Sequence, residues 1–237
     1  MSNIEELRRL QDIESKSLYG AGINEKAVRY SFEVLRRHIR PGRILELGPA
    51  EGIMTDQLVL LEQPMTVVDG GKGFCDAIKA RHPQVDVVNS LFEEYRSGPA
   101  FQTIVMGHVL EHVENPVEIL ELARNWLTPQ GRILAAVPNA RSLHRQAATI
   151  MGLLPHESAL NEADRHHGHR RVYNPESFRA EFTQAGLGIE LCGGYWLKPL
   201  ANAQLESWFS AEMIDAFMVL GERYPDIAGE IYLVATR

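Results

Sequence analysis

The residues of this chain best suited to chemistry are its nine histidines and two carboxylates placed at the ends of apolar runs. Five of the histidines, His144, His156, His166, His167 and His169, fall between Ala140 and Arg171. His108 stands apart, directly after the apolar run FQTIVMG. An imidazole near its ordinary pKa can take a proton at neutral pH, so one histidine within hydrogen-bond reach of an acceptor could act as a general base. His108 and His169 are the first candidates, with His166, His167 and His144 behind them. DRHHGHR also gathers Asp164 with His166, His167 and His169, but adjacent histidines point different ways on a regular element, and no metal is expected. With Arg165, Arg170 and Arg171 the same histidines form a basic patch in an acidic chain, suited to a carboxylate, phosphate or phosphonate. Glu111 and His112 are expected on the helix after the His108 strand, facing the surface or a loop.

These groups need a frame, and ILELGPAEG (Ile44 to Gly52) supplies its first piece. Ile44, Leu45 and Leu47 suit a buried strand, and Gly48 permits a close backbone approach before a helix starting near Gly52. The spacing is GxxxG, not the GxGxxG of a dinucleotide fold, and no Lys-Ser or Lys-Thr pair follows. A Walker-type phosphate loop is excluded, and Glu51 would repel a pyrophosphate. Glu46 instead points to a ligand with cationic groups. About twenty positions on, MTVVDGG ends a second strand at Asp69, where an open α/β sheet places a carboxylate for ribose hydroxyls. A third strand, Val85 to Asn89, leads to Ser90, Leu91 and Phe92, an apolar tip that could cover an adenine. The fourth strand, Phe101 to Met106, delivers Gly107 and His108. After a helix and a Pro-Gln-Gly turn, Arg132 to Val137 reads as a fifth strand.

From Arg43 to Asn139 this order of motifs resembles the class I S-adenosylmethionine-dependent methyltransferases, and HVLEHVENP (His108 to Pro116) resembles the small-molecule members. The resemblance implies an α/β fold: a Rossmann-like seven-stranded, mostly parallel sheet with helices on both faces and an antiparallel last strand. It implies S-adenosylmethionine as cofactor, with Glu46 near the methionine amino group and Gly48, Pro49 and Gly52 lining it. Asp69 and Gly70 would hold the ribose, Ser90, Leu91 and Phe92 the adenine, and Gly107 and His108 the methionine end. Tyr19, in SLYGAGIN, would be a lid contact. A sulfonium methyl is already activated, so the protein must mainly align nucleophile, methyl and sulfur. A histidine-lined pocket favours O-methylation of a polar or anionic metabolite. The alternatives are N-methylation of an amino sugar or similar amine, and a non-catalytic cofactor-binding or scaffold module.

Met1 to Arg40 reads as a helical cap, with Leu7, Leu10 and Ile13 and then Val28, Phe32, Leu35 and Ile39 at helical spacing. Residues 41–237 read as the core, with an insertion at about 140–173 whose His144, Arg170, Arg171 and Tyr173 would bind substrate. Asn174, Pro175 and Glu176 read as a capped helix start. Gln204 to Leu220 reads as one apolar helix between two last strands. The 237 residues are 45% hydrophobic with a net charge of −7. That suffices for one core and gives no general attraction to nucleic acid. Two cysteines, no signal-like opening and no membrane-length apolar run suggest a small-molecule enzyme of the reducing cytoplasm, with a homodimer as the expected assembly.

Overall fold

The computed structural model describes residues 3–17 and 20–237; Tyr19, expected as a lid contact, lies outside them. Two helices open the chain, α1 (Asn3–Lys16) and α2 (Gly22–Leu35). The sheet then alternates with helices: β1 (Ile44–Leu47), α3 (Ile53–Leu58), β2 (Met65–Asp69), α4 (Lys72–Arg81), β3 (Asp86–Asn89), β4 (Phe101–Gly107), α5 (Pro116–Trp126) and β5 (Leu127–Pro138). The insertion contributes α6 (Leu143–Ile150) and α7 (Glu162–His166). α8 (Pro175–Gln184), β6 (Gly188–Tyr195), α9 (Asn202–Trp208), α10 (Ala211–Gly221) and β7 (Glu230–Thr236) complete the chain.

The seven strands run β3-β2-β1-β4-β5-β7-β6, with β7 antiparallel to both of its neighbours. β1, β2 and β4 are buried on both faces, hence their nearly continuous apolar runs. Side chains alternate across the sheet. Leu45, Leu47, Ile104 and Met106 join the core under α5 and α8, while Ile44, Val67 and Val105 join the core under α2, α3 and α10. The strand order reverses between β1 and β4, so a crevice opens at the carboxyl ends of these strands, where open α/β sheets bind ligands. No helix of the described residues is long and apolar enough to cross a membrane.

Two expectations about elements need correction. The Pro-Gln-Gly stretch lies inside β5. Leu127 pairs with Phe101 and Arg132 with Thr103, so the intervening residues bulge out of register. A side chain at Gly131 would come within 2.8 Å of the Phe101 carbonyl, which is why the bulge carries a glycine. The helix expected over Gln204 to Leu220 is two helices. Phe209 turns extended, and the Ser210 hydroxyl accepts a hydrogen bond from the Met213 amide (3.3 Å), starting α10 afresh. α8 begins as its sequence suggests, with a reciprocal cap between Asn174 and Ser177 and Pro175 in the first turn.

Candidate active site

Two cavities open at the switch point. The first, about 440 Å³, is lined by Gly48, Ala50, Asp69, Gly70, Leu91, Phe92 and His108 from the sheet tips and by Leu10 and Ile13 of α1. Gly48 has φ +63°, and a Cβ there would lie 2.9 Å from Val109, so only glycine admits the turn. The Gly52 amide donates to the Pro49 carbonyl (2.9 Å), closing the loop. Asp69 Oδ1 accepts from the Gly71 amide (2.6 Å). Burial raises the Asp69 pKa to about 6, and hydrogen bonds from the Gly71 and Ala50 amides restrain the rise. The apolar wall of Leu91 and Phe92 beside the Asp69 carboxylate fits a nucleoside, an adenine against the wall and ribose hydroxyls at the acid.

Several expected cofactor contacts face elsewhere. Glu46 alternates onto the α3 side of β1, where its Oε2 accepts from the Thr55 hydroxyl (2.7 Å), and burial pushes its pKa up to about 8. Burial thus favours its protonated form, and it lines neither cavity. Gly52, at φ +80°, caps α3 and leaves room for the Arg81 guanidinium, which donates to the Glu51 carbonyl (2.7 Å). Pro49, Ser90 and Gly107 do not line the first cavity.

The second cavity, about 580 Å³, lies between α2, the insertion and the β6–β7 end of the sheet, and His108 borders both cavities. His108 holds φ +59°, a conformation uncommon for a non-glycine residue. Its Nδ1 is 3.4 Å from Glu111 Oε1 and 3.8 Å from Glu230 Oε2. Burial opposes its charge, but the Glu230 and Glu111 carboxylates outweigh burial and hold its pKa up at about 9. His108, expected as a base poised near neutrality, thus sits between two acids that favour its protonated form. Glu111 and His112 lie in the β4–α5 loop rather than on a helix, and Glu111 is wholly buried, contrary to the surface placement expected.

His144, His167 and His169 line the second cavity. Burial pushes His144 down to about 2, with Lys198 and Arg145 adding to the fall, and His167 to about 4. Of the residues in the cationic patch read from the sequence, His167 is thus disfavoured as a cation, and Arg170 is engaged by Glu6. His166 points away, its Nε2 3.2 Å from the Lys16 carbonyl. Arg170 binds Glu6 (2.7 Å) and the His112 carbonyl (2.8 Å), and Arg171 binds the carbonyls of Leu110, Val113 and Glu114. The Tyr173 hydroxyl lies between the Leu110 carbonyl (3.2 Å) and Glu181 (2.6 Å). These three side chains, expected to bind substrate, latch the insertion to the β4–α5 loop and line neither cavity. Glu111, His112 and His169 bring one donor atom each within 4.8 Å of one another, a grouping different from the one the sequence drew attention to.

Sequence reasoning also missed Arg145, Lys198, Glu230 and the α1 roof. Arg145 is buried and organises the insertion, donating to the carbonyls of Glu157 (2.7 Å) and Ala159 and to Asp164 Oδ2 (3.0 Å). Asp164 also caps α7 at the Asn161 amide (2.9 Å). The roof is bolted down: Arg9 donates to the carbonyls of Gly168 (3.0 Å) and His112 (2.8 Å), and Glu6 takes Arg170. The three-residue spacing of Leu7, Leu10 and Ile13 signalled an apolar face but not what it would cover.

The family model of the methyltransferase domain matches residues 23–191, and the chain belongs to that family. It is an S-adenosylmethionine-dependent methyltransferase. A ubiquinone biosynthesis O-methyltransferase from Xanthomonas euvesicatoria pv. vesicatoria is 25% identical over 76% of this chain and 77% of its own length. In fold the chain resembles the Burkholderia thailandensis 1,6-didemethyltoxoflavin-N1-methyltransferase, solved with its acceptor and S-adenosylhomocysteine, at TM-score 0.64 and 14% identity, covering 100% of this chain and 92% of that one. It also resembles the [4+2]-cyclase SpnF, at TM-score 0.62 and 16% identity, covering 92% of this chain and 84% of that one. The acceptor must therefore be argued from the cavity and not from the fold.

Proposed function

We propose that this enzyme transfers the methyl group to a hydroxyl oxygen of a small polar acceptor held in the second cavity. The observation that carries this reading is the buried His108–Glu111–Glu230 cluster where the two cavities meet. A hydroxyl must lose a proton as it is methylated, whereas a neutral amine can attack first, so an acid–base cluster at this point suits oxygen.

Bound S-adenosylmethionine supplies a sulfonium methyl open to in-line displacement. Asp69 accepts the ribose hydroxyls, Gly48 and Ala50 admit the methionine chain, and Leu91 and Phe92 cover the adenine. Glu230, whose pKa burial raises while His108 and Lys198 pull it down, takes the acceptor's proton. His108 lies beside Glu230, keeps that carboxylate in place and balances its charge. His144, His167 and His169 offer ring nitrogens to the acceptor's polar groups. The similarity to ubiquinone biosynthesis O-methyltransferases supports oxygen as the target. Two free cysteines support a reducing cytoplasm, and exposed Trp208, Met213 and Val219 support a homodimer through the α9–α10 face.

The test is transfer from methyl-labelled cofactor to matched phenol and aniline acceptors, with products resolved by NMR. Methyl ethers are expected, and Glu230→Gln should lower kcat by about a hundredfold or more with S-adenosylhomocysteine affinity unchanged. Methylation of the anilines alone, or full activity in the variant, would refute the reading.

A further inference from the structure

Lys198 follows β6 and lines the second cavity. Its backbone carbonyl accepts from the His144 amide (3.2 Å), and its stem lies against Gly229, where an added Cβ would come 3.0 Å from the lysine Cβ. Its ammonium stands 4.6 Å from the centre of the Trp196 ring, a cation–π contact that tethers the charge without neutralising it. Among the described residues no carboxylate lies within ion-pair distance of this ammonium, and no hydrogen bond reaches it.

The surrounding charges are engaged otherwise. Arg145 is held by Asp164 and two carbonyls, and Asp164 also accepts from the Asn161 amide. Glu206 accepts from the Ile23 amide (2.8 Å), and Glu230 faces His108. The amides of Asn24 and Asn202 pair with each other (2.8 Å). Burial lowers the Lys198 pKa to about 8, which leaves it mostly charged at neutral pH. A desolvated cation bordering a ligand-sized cavity gains most from an anionic oxygen brought in by the ligand.

We propose that Lys198 selects acceptors carrying an anionic oxygen group, a carboxylate or phosphate, and binds that group directly while the atom to be methylated lies against the His108–Glu230 end of the same cavity. The inference rests on the second cavity being the acceptor site, but it does not depend on whether oxygen or nitrogen is methylated.

The experiment titrates the full chain, saturated with S-adenosylhomocysteine, with 4-hydroxybenzoate, 4-hydroxybenzamide and 4-hydroxyphenyl phosphate by calorimetry. At least one of the anions should bind about tenfold or more tighter than the amide, and the tighter of the two identifies the group. Lys198→Met should erase that preference, Lys198→Arg should retain it, and neither should change affinity for S-adenosylhomocysteine. If the amide binds as well as both anions, including no binding by any probe up to about 10 mM, the proposal fails. It fails equally if Lys198→Met keeps the preference, or if it weakens S-adenosylhomocysteine, which would assign the lysine to the cofactor. Should the methionine variant not fold, the wild-type comparison of anions with the isosteric amide decides the matter alone. Because only binding is read, failure here leaves the transfer reaction standing, and failure to methylate oxygen leaves this preference standing.

Discussion

At the scale of single residues, burial determines which carboxylate serves the ligand and which serves the core. Asp69, at a strand tip, borders the first cavity. Asp69→Ala should weaken S-adenosylhomocysteine binding by about tenfold or more in calorimetric titration, because hydrogen bonds to a charged acceptor contribute about 1.5–3 kcal/mol. The wild-type affinity should also fall as pH drops through about 6, where the acceptor carboxylate gains a proton. Glu46 behaves oppositely. The folded protein keeps its proton up to about pH 8, whereas an unfolded chain releases it near the ordinary carboxylate pKa. The folded state then binds more protons than the unfolded one across that interval, so Glu46 makes stability decline as pH rises through it. Glu46→Gln, which keeps an acceptor for Thr55, should flatten the dependence of Tm on pH and be the more stable form above about pH 8. A Tm profile parallel to wild type would contradict the protonated assignment. The place of Asp69 at a cavity was legible in the sequence because strand ends are, whereas the turn of Glu46 toward Thr55 was not. Two acids one strand apart look alike in a motif, and only the alternation of faces turns one toward Thr55.

The elements show a similar division. β1, β2, β4 and the Gly48 turn could be read directly, since apolar runs and a forced positive φ leave a local trace in the sequence. The insertion could not. Its histidines drew attention, but its conformation depends on Arg145, whose three hydrogen-bonding partners lie between twelve and nineteen residues away. Nothing local marks such a residue. Arg145→Met would leave Asp164 buried beside lost partners and should destabilise the protein by about 3 kcal/mol, as breaking a buried pair does. Hydrogen exchange should then rise first between residues 143 and 169, and a uniform rise would refute the organising role. The bulge in β5 and the break between α9 and α10 escaped notice for a related reason. Each is set by a neighbouring strand or a single cap against an otherwise continuous apolar pattern.

For the whole molecule, the sheet reverses its strand order between β1 and β4 and thereby opens the crevice, while sequence-distant segments close it. α1 roofs the first cavity and α2, the insertion and Lys198 wall the second, and His108, directly after β4, borders both. The cavity contacts from α1, Arg145, Lys198 and Glu230 come from beyond the stretch that carries the recognisable motifs, which is why the cofactor could be read from sequence and the acceptor could not. The oligomeric expectation belongs to this scale too. Light scattering should return twice the chain mass, and a charge introduced by Trp208→Glu should return the monomer; a wild-type monomer at about 100 μM would remove the α9–α10 face from consideration.

The bolts on α1 also govern traffic. α1 roofs the first cavity, so cofactor exit is expected to require that helix to lift, and two of its fastenings, Arg9 on Gly168 and Glu6 on Arg170, sit on the segment that carries His167 and His169 into the other chamber. An acceptor seated there stiffens the hasp of the neighbouring door, so an occupied second chamber should slow the exit of S-adenosylhomocysteine, and Arg9→Ala should hasten it in a stopped-flow chase. On this expectation the order of release would depend on a guanidinium that borders only the cofactor's chamber.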